Sequence, residues 1–210
     1  MTLRIAAAFA LLLGAAGLIA YLHLLGKSPF ATLEARHLRE MKDRRDPPLT
    51  TAPYTSDDFK ALPHDWNVAE YSALERRGVT IEGYVPRMLR ASDDDVHLEV
   101  IPGWDPAGHE SAPYTTAEIT PAFRRGSHTW TYESLAHAFR VSGGAVTPWD
   151  SGPRRVRISG WLLFDFQYDL RPDLRSTSAD PPRLTGWEIH PVTRIEIWSD
   201  SLKAFTEFPR

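Results

Sequence analysis

Two short runs carry the residue types that could do chemistry. Asp95-Val-His-Leu-Glu-Val-Ile and Trp187-Glu-Ile-His-Pro each set an imidazole two residues from a carboxylate, within alternating polar and apolar side chains. In an extended chain, residues i and i+2 share a face, so His97 points with Glu99 and Glu188 with His190. Glu118 stands in a third alternating run, Tyr114 to Thr120, with Thr116 and Thr120 on its face. If these runs are neighbours in a sheet, two imidazoles and three carboxylates line one surface. Such a surface could contact a polar ligand, coordinate a divalent metal, or place an acid beside a base. The metal alternative draws on His97, Asp165, Glu188 and His190, with Asp165 closing another apolar run, Val156 to Phe166. Against it stands the ordinary polar outer face of a sheet, where cross-strand Glu/His pairs add modestly to pairing. On that reading His190 bonds the backbone where Pro191 breaks a strand. The polar face, structural or ligand-contacting, is the expectation adopted, with no cofactor; a divalent metal is the alternative.

Several chemistries are excluded outright. There is no cysteine, which removes disulfides, zinc–thiolate sites and thiol catalysis. No His-Glu-x-x-His, Gly-x-Ser-x-Gly, phosphate-binding Gly-rich loop or dinucleotide fingerprint occurs. A net charge of −3 gives no general attraction to phosphate backbones, so nucleic acid is not an expected partner. Ser92-Asp-Asp-Asp95 lacks the calcium-loop pattern and reads as a solvated hairpin tip. Trp104, Trp130 and Trp149 fall in or beside loops, where they either stack on sugars or pack back on the sheet.

The elements that must position these residues come after a membrane segment. Ile5 to Leu25 is uncharged and 21 residues long, enough to cross the hydrocarbon core as a helix. No small-x-small site lies at its end, which favours an uncleaved signal-anchor over residues 1–26. Lys27, Arg36, Arg39, Lys42, Arg44 and Arg45 beyond it would hold the domain in the cytoplasm by the positive-inside count. The four-residue head before the apolar run is instead the layout of an anchor that exports the domain behind it. The expectation is a single-pass protein with its domain on the extracytoplasmic (periplasmic) side. Residues 27–54 read as a helical stalk, Ala31 to Arg45, and a Pro/Thr-rich extended linker, Leu49 to Tyr54. Residues 55–210 read as the domain: a cap at Thr55, a helix from Asn67 to Arg77 ending at Gly78, and strands at Val79–Val85, Asp95–Ile101 and Tyr114–Thr120. A helix from Thr131 to Val141, closed by Gly143-Gly144, and strands at Val156–Phe166 and Trp187–Trp198 complete it. Gly83 and Gly160 suit bends. Three strands, a helix and two strands make a mainly β domain, an OB-fold-like five-stranded barrel with a helix between strands three and four.

Asp95-Val-His-Leu-Glu-Val, Val156-Arg-Ile-Ser-Gly-Trp-Leu-Leu-Phe-Asp and Trp187-Glu-Ile-His-Pro-Val-Thr resemble motifs of a group of bacterial exported or membrane-attached proteins without assigned activity. These carry D-x-H-L-x-L, V-x-V-x-G-x-x-x-x-D and E-x-H-P-V in that order. The resemblance spans Val79 to Ile197 and implies that His97, Asp165, Glu188 and His190 belong together. Members of the group often have His-Gly after the Asp, where this chain has Phe166-Gln167-Tyr168. The expected function is a membrane-anchored binding module, not an enzyme, for an envelope protein or oligosaccharide. The alternative is a metal-dependent, phosphoesterase-like hydrolase.

Overall fold

The computed structural model describes residues 31–64, 67–105, 113–142, 145–146, 152–170 and 182–210, together with Ala15 and Leu18. It divides into two units, Met1–Asp43 and Arg44–Arg210. In the first, helix α1 (Leu33–Lys42) begins at Thr32, whose side chain accepts from the Ala35 amide. Glu34 in its first turn and Arg39 and Lys42 in its last suit the helix dipole. The expected membrane helix lies outside the described residues apart from Ala15 and Leu18. No described helix is long and apolar enough to cross a membrane.

The second unit is mainly β. Its first strand, β1 (Thr51–Tyr54), pairs in parallel with the start of β2 (Gly78–Arg90). This corrects the expectation that Leu49–Tyr54 is a tether. Pro53 is tolerated because β1 is an edge strand with no second neighbour among the described residues. The approach also needs Gly78, where a Cβ would collide with the Thr50 carbonyl and the Pro48 ring. Helix α2 (Ser56–Lys60) opens with a capping box, Thr55 and Asp58 bonding each other's backbone amides. Helix α3 (Val68–Leu74), capped by Asn67, buries Val68 and Tyr71.

Strand β2 is long enough for two partners. Gly78–Tyr84 pairs antiparallel with β7 (Arg155–Phe164), and Tyr84–Arg90 with β3 (Val96–Ile101) after a register shift between Tyr84 and Arg87. β3 pairs antiparallel with β4 (Tyr114–Ile119), and β4 pairs in parallel with β8 (Arg183–Ser199). β8 pairs antiparallel with β7 and, at its far end, with β9 (Ala204–Glu207). Between β4 and β7 come α4 (Pro121–Arg124), α5 (Tyr132–Phe139) and a two-residue hairpin, β5 (Val141–Ser142) and β6 (Ala145–Val146). β7 ends at Phe164, ahead of the expected Phe166, and helix α6 (Phe166–Leu170) follows.

Two local expectations are corrected. Helix α5 ends at Phe139, where Arg140 takes the left-handed conformation (φ 60°) that closes a helix, ahead of the glycine pair. The strand expected to break at Pro191 runs unbroken from Arg183 to Ser199, with the His190–Pro191 peptide in cis. The partner strand makes room, since the β7/β8 register shifts around Gly160 and a Cβ there would overlap the Pro191 carbonyl oxygen. The interior gathers Val79, Ile81, Val96, Leu98, Val100, Ala117, Ile119, Ile158, Leu162, Trp187, Ile189 and Ile195, with Phe59, Tyr71, Leu135 and Phe139 from the helices. Each large aliphatic among them contributes about 1.5–3 kcal/mol by leaving water. These side chains fix which residues of β3, β4 and β8 point the other way.

A buried carboxylate–histidine cluster

Alternation against the core residues Val96, Leu98, Val100, Ala117, Ile119, Trp187 and Ile189 puts Asp95, His97, Glu99, Thr116, Glu118, Glu188 and His190 on the opposite face of β3, β4 and β8. The ladders arrange them in rows. His97 stands opposite Glu118, and Glu99 opposite Thr116, which in turn pairs with Glu188. This face was expected to be the polar outer face of the sheet. It is buried instead: Glu118, Glu188 and His190 are at most 1% exposed, Glu99 2% and Asp95 6%. Helix α6 packs against β8 on this side, where Asp169 accepts from the Gly186 amide and pairs with His64 at 2.8 Å.

At the centre, His190 Nε2 lies 3.1 Å from Asp95 Oδ2 and 3.3 Å from Glu118 Oε2. The other oxygen of Glu118 lies 3.1 Å from Nε2 of His97, which is about one-fifth exposed. Asp95, Glu118 and His190 each offer a ligand atom, all within 4.8 Å of one another, a spacing able to hold a metal ion.

The remaining expected residues are engaged elsewhere. Glu99 forms a two-pronged pair with Arg87, whose Nε donates to Oε2 at 2.6 Å. Burial pushes the Glu99 carboxyl above the ordinary 4.5, a rise that Arg87 opposes. Glu188 Oε2 accepts from Arg183 Nη2 at 2.8 Å. Arg183 also donates to the Thr185 and Gly186 carbonyls and lies 3.9 Å over the Tyr168 ring. Burial pulls its guanidinium down, yet Glu188, Asp165 and Glu118 outweigh that and hold it above its ordinary value. Tyr168 is pushed up by burial, so it stays a neutral phenol. Asp165 accepts from the Gln167 amide at the turn into α6. The structure therefore brings His97, Glu118 and His190 together, and sets Glu99, Asp165 and Glu188 beside arginines or backbone.

Sequence reasoning missed Asp95, Arg87, Arg183 and Tyr168. Asp95 had a usable signal, since it shares parity with His97 and Glu99. The acidic run disguised it: Asp94 closes the turn (φ 69°) and stays exposed, while Asp95 faces inward. Of the loop tryptophans, Trp130 is core and donates to the Phe208 carbonyl. Trp104 is half-buried, and Trp149 lies outside the described residues. No family model and no curated protein matches this sequence.

Proposed function

We propose that this chain is a membrane-tethered binding module built on an OB-fold-like barrel, acting on a polar ligand outside the cytoplasm. The barrel reading is supported by the pairing circuit β2–β3–β4–β8–β7, which returns to β2 with β4–β8 as its parallel step and α5 in the β4–β7 connection. The tether rests on the uncharged run Ile5–Leu25. One observation carries the non-enzymatic reading. The carboxylates and histidines best suited to acid–base work are paired with one another or with arginines, and all of them but the partly exposed His97 are buried. A hydrolase needs at least one of them turned toward substrate.

Recognition falls instead to a cleft of about 330 Å³ lined by Glu82, Gly83, Tyr84, Pro102, Gly103, Trp104 and Arg155. Tyr84 and Trp104 offer aromatic surface, and Glu82 and Arg155, paired with each other, offer an acceptor and a donor. That combination suits an oligosaccharide. The test is titration of the detergent-solubilised full chain with a panel of envelope oligosaccharides, monitored by tryptophan fluorescence. Saturable binding weakened tenfold or more in Trp104→Ala supports the reading. Phosphoester hydrolysis by the purified chain, abolished in His190→Ala, would replace it with the hydrolase.

A further inference from the structure

We infer that Asp95, Glu118 and His190 form an enclosed site for one divalent first-row transition ion, with His97 holding the second oxygen of Glu118 as a positioning residue. The ligand set shares only His190 with the metal alternative expected from the sequence, and it does not depend on what the Trp104 cleft binds.

The donor spacing fits. Metal–ligand bonds of roughly 2.0–2.2 Å place neighbouring donors of a tetrahedron about 3.3 Å apart. Asp95 Oδ2 and Glu118 Oε2 lie 3.1 Å and 3.3 Å from His190 Nε2, and the three donor atoms fall within 4.8 Å of one another. Hydrogen bonds also span such distances, so charge must decide. Two buried carboxylates converge on the same nitrogen, Nε2 of His190, and one N–H cannot be well aimed at both. Like charges in a dry interior repel strongly, and a dication at their meeting point neutralises both.

Thr120 provides a separate observation. It occupies the N-cap of α4, yet its side chain makes no cap bond. Its hydroxyl is buried and makes no hydrogen bond among the described residues, with the residue 5% exposed. Extending the β3/β4 register by one pair sets Thr120 opposite Asp95, on the face of Glu118 two residues back. An orphaned polar oxygen thus stands at the edge of the cluster, where an ion or its bound water would meet it.

Mixed imidazole and carboxylate donors select zinc or manganese over calcium, which prefers six or more oxygens. The ligands come from the turn before β3 and from β4 and β8, so the ion would clamp the parallel β4–β8 step to its antiparallel neighbour. Its enclosure makes it a structural ion.

The test uses the full chain in detergent, stripped with chelator and then given Zn²⁺ or Mn²⁺ alone. One ion per chain should survive dialysis. At a hundredfold excess over Kd, the melting temperature should rise by about 5–10 °C. Glu118→Gln keeps the shape and removes one ligand charge. It should melt near the metal-free wild type and lose the metal-induced rise, with affinity down a hundredfold or more. If Glu118→Gln does not fold, the more exposed His97→Ala serves: it releases the second oxygen of Glu118, and affinity should fall about tenfold or more. A wild type with no stoichiometric ion and no melting shift overturns the site. So does a variant that takes up metal as the wild type does.

Discussion

A guanidinium as deeply enclosed as that of Arg183 must be neutralised by the groups that touch it, and here that role falls to Glu188 at 2.8 Å. Removing one member of such a pair leaves a stranded charge, which costs more than the pair is worth. Arg183→Met should therefore lower the unfolding free energy by about 3–5 kcal/mol in urea titration. The double variant Arg183→Met/Glu188→Leu should recover most of that loss. Recovery of less than half would assign the cost to the Thr185 and Gly186 carbonyls that Arg183 also serves. At this scale the sequence is informative about parity and silent about partners. Alternation places His97 with Glu99 and Glu188 with His190, as the strands have them. Nothing in it says that Arg87 will meet Glu99, because that contact depends on β2 continuing past Val85 after a register shift. Nor can it show that a polar face is covered, since on β8 part of the cover is α6, a helix that follows a run that reads as a strand.

Among the elements, α2 has a start that can be titrated. Its Asp58 is held below the ordinary carboxylate value of 3.8 by the Thr55 hydroxyl and amide. A carboxyl with a lowered folded-state pKa stabilises fully above its unfolded value, and that stability is lost as pH falls through the folded value. The melting temperature of wild type should thus exceed that of Asp58→Asn by a constant margin from pH 7 down to about 4, and the margin should close below that. A gap that persists at pH 2 would point to the amide's geometry instead of the charge. At β7, Gly160→Ala introduces a methyl where the Pro191 carbonyl and the Ile189 side chain already sit. It should cost about 1–3 kcal/mol in chemical denaturation, as overpacking does. The long alternating strands and the capped helices were readable because period and cap chemistry are local. β1 and β9 were not: each is four residues long and exists only because a longer strand offers it an edge. Pro191 misled for a related reason, since whether a proline ends a strand depends on the strand beside it.

For the molecule as a whole, the expected boundary at residue 55 separates β1 from the sheet it pairs with. Arg44 donates to the Glu75 carbonyl and lies 4.8 Å over Trp161, and Trp161 donates to the Asp46 carbonyl at 2.7 Å. A fragment 44–210 should therefore melt in one cooperative transition. A fragment 55–210 should melt lower by several degrees, with faster hydrogen exchange at Gly78–Ile81. Equal melting of the two fragments would reduce β1 to an ornament on the sheet edge. The mainly β class was legible from strand count and the absence of long amphipathic helices in the domain. The partner of each strand was legible only through analogy, because pairing across eighty residues leaves no mark in local pattern.

That long-range pairing has a consequence for how the protein is made. Strand β4 receives its parallel neighbour from residues 183–199, and β2 receives β7 from residues 155–164. On a ribosome, β2, β3 and β4 emerge first, with Asp95, His97 and Glu118 in place but His190 still unsynthesised. Until the last thirty residues appear, these carboxylates have water as their partner and the apolar faces of three strands have no cover. The chain is therefore at its most vulnerable to aggregation and proteolysis just before it is finished.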